Sequence, residues 1–263
     1  MPRKLSQAKY RNNSIRINRE GKRKLKVAIN EWMAFTRKEA IKGLNKLIRK
    51  DQGQQIASDL TDWGIVEEAG IVAIKPVILE IVKAAGENTT KLFDIQASFD
   101  IVNIRSVELA TEIASRLVRE VTKQTQAGIA QAIRTGAAEG QSIPAIAKNI
   151  KPLVGLTEKQ VISVANFEER YIIKNPTANR DRIDRAVNRY ERKKHRERAE
   201  MIARTESSRT NAEGSLDVYE AEGVTVEWIA VAGNDFDPEF CQDNDGKVFT
   251  IAEARGMIPV HPN

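Results

Sequence analysis

The chain has 263 residues, 42 of them Lys or Arg and 36 Asp or Glu, with a formal net charge of +6 at pH 7. Its single cysteine excludes an intramolecular disulfide framework. It contains no uninterrupted apolar run of the roughly 18 residues that a membrane span needs, and its N-terminus lacks the apolar core of a signal peptide. We therefore expect a soluble intracellular product of one or two domains, and the 30% charged and 5% aromatic content favours a mainly helical one.

Charge is distributed unevenly along the chain. Residues 1–26 hold ten basic residues against one acid, whereas residues 213–263 hold two basic residues against eleven acids. This asymmetry predicts either two different partners or a head-to-tail contact between copies.

Residues 1–21 are basic and weakly periodic, and we predict a flexible arm there. The basic residues of this end either neutralise nucleic-acid phosphates or dock on an acidic protein surface, and the sequence leaves both interpretations open. These residues are Arg3, Lys4, Lys9, Arg11, Arg16, Arg19, Lys22, Arg23, Lys24 and Lys26.

Helical periodicity dominates the next two thirds of the chain. Apolar residues at threes and fours predict helices over 22–51 and 54–85, with Pro76 either kinking the second helix or starting a new one. Residues 86–89 read as a loop, and residues 91–105 as a linker or a short strand. A regular stripe then predicts a helix over 107–139.

Capping signals define the helices that follow. Ser142 is a candidate N-cap for a short helix over 143–150, and Thr157 with Gln160 forms a capping box for a helix that ends near Lys174. A long, highly charged helix is predicted over 178–222. Its charged residues between Arg180 and Glu200 form either a solvated face or, because bases outnumber acids there, a surface that faces nucleic acid. The regions we expect are 1–21 (arm), 22–104 and 105–177 (helical), and 178–263 (long helix plus β-hairpin).

The last third carries the most specific pattern. Met201 to Glu206 ends in an Ala-Arg-Thr-Glu box, followed by Asn211, a predicted strand over 224–231 with Trp228, Cys241, an Asp-Gly-Lys-Val-Phe turn at 245–249, and the closing His-Pro-Asn. This order resembles phage Mu F-like minor head proteins, over roughly residues 105–263. The fold class expected is mainly α, an elongated multi-helix body with a small C-terminal α+β domain. In that domain Trp228, Phe249 and Ile251 should pack on the helix face with Ile202, Leu216 and Tyr219.

The resemblance implies a non-enzymatic virion protein without cofactors. It would lie in the phage head interior after synthesis in the host cytoplasm, and act in capsid assembly at or near the portal and in DNA packaging or ejection. The implied partners are the portal, capsid or scaffolding proteins and DNA, with a homo-oligomer as a further alternative and no membrane.

The polar residues of the C-terminal region have two readings. The favoured interpretation is a structural latch that fixes the helix against the small sheet, because no His or Cys lies nearby in the sequence to complete a catalytic mechanism. The alternative is a catalytic Glu206. The latch residues are Arg204, Glu206, Arg209, Asn211, Trp228, Asp245 and Gly246.

Metal sites are weaker hypotheses. Cys241 and His261 supply two ligands where a structural zinc takes four. The carboxylates at 235–245 suit either a calcium loop, which lacks its bidentate glutamate, or a hairpin turn around Asp245 and Gly246. The rival functions are a nucleic-acid-binding protein with no capsid role and a metal-dependent hydrolase built on those carboxylates.

Overall fold

The computed structural model describes residues 6–50, 60–93, 99–223, 228–229 and 247–257. In chain order these form α1 (Gln7–Lys50), α2 (Trp63–Phe93), α3 (Phe99–Ala138), α4 (Ile143–Ile150), a 3-10 turn (Lys151–Leu153), α5 (Glu158–Lys174), α6 (Arg180–Ala221), β1 (Trp228–Ile229), β2 (Val248–Phe249) and α7 (Ile251–Met257). The protein is mainly helical, which confirms that part of the predicted fold class.

Two short strands pair in the C-terminal region. Trp228 lies opposite Phe249 and Ile229 opposite Val248, in antiparallel register. The residues that would connect them as a hairpin, 230–246, lie outside the described ranges, so the hairpin stays a prediction.

Contacts divide the chain into two compact units. The first comprises Met1–Leu25, Pro76–Glu112 and Ala203–Asn263, and the second comprises Lys26–Lys75 and Ile113–Ile202. By these ranges α1, α2, α3 and α6 each contribute residues to both units. The boundaries that we predicted at 21, 104 and 177 remain predictions.

The predicted flexible arm is wrong from Gln7 onward, because α1 begins there. Ile17 and Gly21 are buried, and a Cβ at Gly21 would lie 2.6 Å from Ile81 Cδ1. This close approach packs α1 against α2 around Gly21, and the tertiary packing there overrides the weak local periodicity. Arg3 and Lys4 lie outside the described residues.

The loop predicted at 86–89 is also wrong, because α2 continues to Phe93. Asn88 is buried and its side chain is hydrogen-bonded to α1: Nδ2 donates to the Tyr10 carbonyl at 3.1 Å and to Ser14 Oγ at 3.2 Å, and Oδ1 accepts from Asn13 at 3.0 Å. A buried amide with its partners satisfied is compatible with a helix interior. Pro76 likewise lies inside α2 and does not end it.

The linker or short strand predicted over 91–105 is wrong at both ends, because α2 continues to Phe93 and α3 begins at Phe99. The short helix over Ile143–Ile150 is confirmed. The capping box is confirmed too: Thr157 Oγ1 accepts from the Gln160 amide, while Gln160 Oε1 accepts from the Thr157 amide at 3.1 Å. The long charged helix is confirmed as α6.

Packing of the second unit centres on aromatic and aliphatic side chains. Trp32 is 3% exposed, its indole nitrogen donates to the Val66 carbonyl at 2.7 Å, and Gly70 leaves the space in which its ring sits. Between α5 and α6, the rings of Phe167 and Tyr190 stack with centroids 4.3 Å apart. These contacts hold α1 to α2 and α5 to α6 within this unit.

Candidate binding sites

In the Ala-Arg-Thr-Glu box of α6 the glutamate is buried and the arginine is exposed. Glu206 is 5% exposed, and its Oε1 accepts a hydrogen bond from Arg209 Nη1 at 2.6 Å. The two side chains thus pair at the i, i+3 spacing of one helix face. Arg204 is exposed and forms no ion pair with any described residue. Asn211 is buried in the same helix.

The apolar face of α6 receives the C-terminal segment. Leu216 and Tyr219 form a buried cluster with Ala254, and Phe249 and Ile251 pack against it. The predicted packing of Phe249 and Ile251 on Leu216 and Tyr219 is confirmed, whereas Ile202 is not a member of this cluster. Burial raises the pKa of the Tyr219 hydroxyl, with Tyr10 as its neighbour.

Helix α7 was not predicted, although its sequence carries a signal for it. Thr250 Oγ1 accepts from the Glu253 amide at 3.3 Å, and Glu253 Oε2 accepts from the Thr250 amide at 2.9 Å, so this Thr-x-x-Glu is a capping box. Arg255 then donates to Glu213 at 3.1 Å and to Glu220 at 2.8 Å. These bonds tie α7 to α6.

Other residues predicted for this region cannot be placed. Asp245, Gly246, Cys241 and His261 lie outside the described residues, as does the Trp228 side chain. The latch, zinc, calcium and hydrolase interpretations that depend on them remain predictions. Among the residues that the structure does describe, no group of three His, Cys, Asp or Glu is arranged to hold a metal ion.

The basic residues of α1 do not act alike. Lys24 forms an ion pair with Glu80 and Lys26 with Glu200, so both lysines already have partners within the chain. A second group is exposed and has no ion-pair partner in the described ranges, and we call it the α1 basic row. Its members are Lys9, Arg16, Arg19 and Arg23. At 100° per residue these four fall within an arc of about 80°, opposite the buried face of α1.

Arg11 is exposed as well but points to another side of α1, and Lys22 is partly buried and has a partner of its own. The ten basic residues predicted as one contact set are therefore not a single surface. Four of them share the outward side of one helix.

Sequence reasoning missed a cleft in the second unit, which we call the arginine cleft. Its volume is about 390 Å³. It is lined by Arg37 of α1, Pro152 of the 3-10 turn, and Arg185, Asn188, Arg189, Glu191, Arg192 and His195 of α6. Only the spacing of the three α6 arginines is visible in the sequence, because Arg37 and Pro152 reach the cleft through the fold.

Two titratable groups of the arginine cleft have strongly shifted pKa values. Burial raises the pKa of Glu191 to about 7, with Glu168 raising it further and Arg37 opposing. Burial lowers the pKa of His195 to about 4; the Pro152 carbonyl opposes this, and the positive charges of Arg37 and Arg198 add to it. The His195 Nε2–H donates to the Pro152 carbonyl at 2.8 Å, and the same nitrogen lies 3.2 Å from Arg37 Nη2.

Arg198, one turn further along α6, is fully buried without a carboxylate partner in the described ranges. Its guanidinium donates to the Gly155 and Val121 carbonyls, to Gln124 Oε1 and to Thr125 Oγ1. Burial lowers its pKa to about 10. Arg198 thereby joins α6 to α3 and to the turn before α5.

No protein-family model, curated protein or solved structure matches the chain. Among the described residues, no helix combines the length and apolar character that a bilayer span requires. The functional interpretation therefore depends on the residues and contacts given above.

Proposed function

We propose that this chain is a structural minor head protein of a tailed phage or prophage, which acts by binding near the portal during capsid assembly. The supporting observation is the assembly of the C-terminal region on α6. Phe249 and Ile251 pack on Leu216 and Tyr219, while Glu206 is held internally by Arg209. The Mu F-like pattern implies such a small domain, formed by the long helix and a hairpin that presents a compact surface to a partner.

Arg204 is the residue of the box that is free to contact that partner. Its side chain is exposed, whereas Glu206 two positions later is internal. In this proposal Glu206 and Arg209 stabilise the small domain, and Arg204 belongs to its binding surface.

A portal-binding measurement tests this proposal. Full-length protein and purified portal are titrated by calorimetry, and Arg204→Glu is compared with Arg196→Glu, an equally exposed arginine on the same helix. We expect Arg204→Glu to weaken binding at least tenfold, because charge reversal at an interface introduces repulsion or an unpaired charge. Absence of binding by the unaltered protein would refute the portal role. An equal effect of both variants would refute the assignment of Arg204.

A second candidate, nucleic-acid binding with no capsid role, is favoured by the α1 basic row. Four exposed cations on one helix face are free to neutralise phosphates. The test is the salt dependence of duplex DNA binding, with Arg16→Gln/Arg23→Gln compared with Lys38→Gln/Lys83→Gln. If two phosphate contacts are lost, the slope of log affinity against log salt falls by about 2 in the first variant only. A salt-independent affinity would eliminate this candidate.

A further inference from the structure

The arginine cleft collects positive charge that the described part of the protein does not neutralise. Arg185, Arg189 and Arg192 are spaced four and three residues apart on α6, so they share one side of the helix. None of them, nor Arg37 opposite, lies within salt-bridge distance of a described carboxylate. Elsewhere on α6, Arg180 pairs with Glu168 and Asp184, and Lys194 pairs with Glu197.

Like charges at these spacings destabilise a helix. The i, i+4 neighbour of Arg189 is Arg185 on one side and Lys193 on the other, and its i+3 neighbour is Arg192. The sequence of α6 thus places like charges next to one another at the cleft. In other parts of the helix, neighbouring positions carry opposite charges. A bound anion would relieve that repulsion.

Arg37 supplies a second, independent observation. Its Nε is buried and has no hydrogen-bond acceptor among the described residues, while its Nη2 lies against His195. Buried N–H groups of charged side chains nearly always have an acceptor, from protein, water or ligand. Arg37 lines the cleft, so its guanidinium forms part of the wall that a bound anion contacts.

Glu191, the only acid among the described residues that line the cleft, does not cancel the positive charge of the cleft. Glu191 is 6% exposed, and burial raises its pKa to about 7, so a substantial fraction of the side chain is neutral at that pH. A protonated Glu191 can also donate a hydrogen bond. The cleft therefore stays positive, and it offers planar guanidinium groups from two helices around a space of about 390 Å³.

We propose that the arginine cleft binds a phosphoryl group through Arg37, Arg189 and Arg192, either as free phosphate or as a phosphodiester of a nucleic-acid backbone. A guanidinium group forms paired hydrogen bonds to phosphate oxygens. Several guanidinium groups around one space match a tetrahedral anion better than they match a single carboxylate. This site is separate from the α6 residues implicated in portal binding and does not depend on that function.

The test uses two probes and one matched pair of variants. Inorganic phosphate binding is measured by calorimetry at constant ionic strength, and binding of a 20-nucleotide DNA by fluorescence anisotropy. Arg189→Gln/Arg192→Gln removes two cleft cations, while Arg182→Gln/Arg196→Gln removes two exposed arginines of α6 that do not line the cleft. Circular dichroism and urea unfolding establish that both variants are folded.

We expect at least a tenfold loss of affinity in the cleft variant and less than a threefold change in the control, because hydrogen bonds to charged groups are among the stronger ones. If phosphate binds and DNA affinity is equal in the two variants, free phosphate is the ligand. If DNA affinity falls in the cleft variant and phosphate competes with DNA, the backbone phosphodiester is the ligand. The proposal is overturned if neither probe binds saturably or if both variants lose affinity equally.

Discussion

Glu191 and His195 should make opposite contributions to the pH dependence of stability. Glu191 is buried and His195 half-buried at the arginine cleft; desolvation raises the pKa of the acid and lowers the pKa of the imidazole. A group whose pKa differs between the folded and unfolded protein changes the free energy of unfolding over the interval between the two values. The perturbations that separate the two contributions are Glu191→Gln and His195→Gln.

Because its pKa is raised, Glu191 lowers the free energy of unfolding as the pH rises. Between about 4.5 and about 7 the folded protein binds more protons at this position than the unfolded chain does. Its contribution is therefore fully present below pH 4.5 and is lost as the pH rises through 7. A shift of this size corresponds to about 3 kcal/mol, since one pKa unit is about 1.4 kcal/mol.

The sign for His195 is reversed. Between about 4 and 6.5 the unfolded chain binds more protons at this position, so the contribution of His195 is present above pH 6.5 and is lost as the pH falls to 4. Its size is again about 3 kcal/mol. In the unaltered protein the two contributions largely cancel between pH 4.5 and 6.5.

The assay is urea unfolding of both variants and the unaltered protein at half-unit steps from pH 4 to 8. Relative to the unaltered protein, Glu191→Gln should gain about 3 kcal/mol of unfolding free energy as the pH rises from 4.5 to 7. His195→Gln should lose about as much between pH 4 and 6.5. Differences that stay constant with pH in both variants would refute the burial of these two groups.

Three further stability predictions follow from single contacts, each measured by urea unfolding. Arg198→Met should lower the free energy of unfolding by about 2–4 kcal/mol, because it leaves the Gly155 carbonyl without its donor; exposed Arg196→Met should change it by less than about 0.5 kcal/mol. Gly70→Ala should lower the free energy of unfolding by about 1–3 kcal/mol, because the new Cβ would lie 2.6 Å from an indole carbon of Trp32. In the control Gly256→Ala the new Cβ meets nothing within 4 Å, so this variant should be slightly more stable. Asn88→Ala should cost about 1–3 kcal/mol and accelerate amide hydrogen exchange in the first turns of α1. Unchanged unfolding in Arg198→Met, Gly70→Ala or Asn88→Ala would contradict the corresponding contact.

Local signals predicted those parts of the fold that local interactions determine. The Thr157 capping box and the stop at Asn175 are decided within four residues, and both are present. The Thr250–Glu253 capping box is equally local, and its Thr-x-x-Glu signal is present in the sequence although only a turn and a strand were predicted there.

The wrong predictions lie where distant residues decide the outcome. Asn88 and Thr89 form a typical loop signal, yet both are buried in α2, and Asn88 bonds to α1 more than 70 residues earlier. The first turns of α1 resemble a solvated tail because basic residues separate Ile17 from Leu25, and their packing partner Ile81 is remote in sequence. Tertiary packing overrides weak local preference in both cases.

The candidate sites show the same division. The Glu206–Arg209 pair follows from helical spacing alone. The arginine cleft does not, because spacing places Arg185, Arg189 and Arg192 on one side of α6 but cannot bring Arg37 or Pro152 to them. The sequence also cannot show that no described carboxylate lies within salt-bridge distance of these arginines.

The most direct test of the head-protein proposal is the composition of assembled particles. The chain is co-expressed with the portal and major capsid proteins encoded alongside it, and purified particles are quantified by mass spectrometry. We expect retention at a few to about a dozen copies per particle, with a reduced copy number for Arg204→Glu and an unchanged one for Arg196→Glu. Absence of the unaltered chain from every particle would contradict it and leave nucleic-acid binding through the α1 basic row as the function to test.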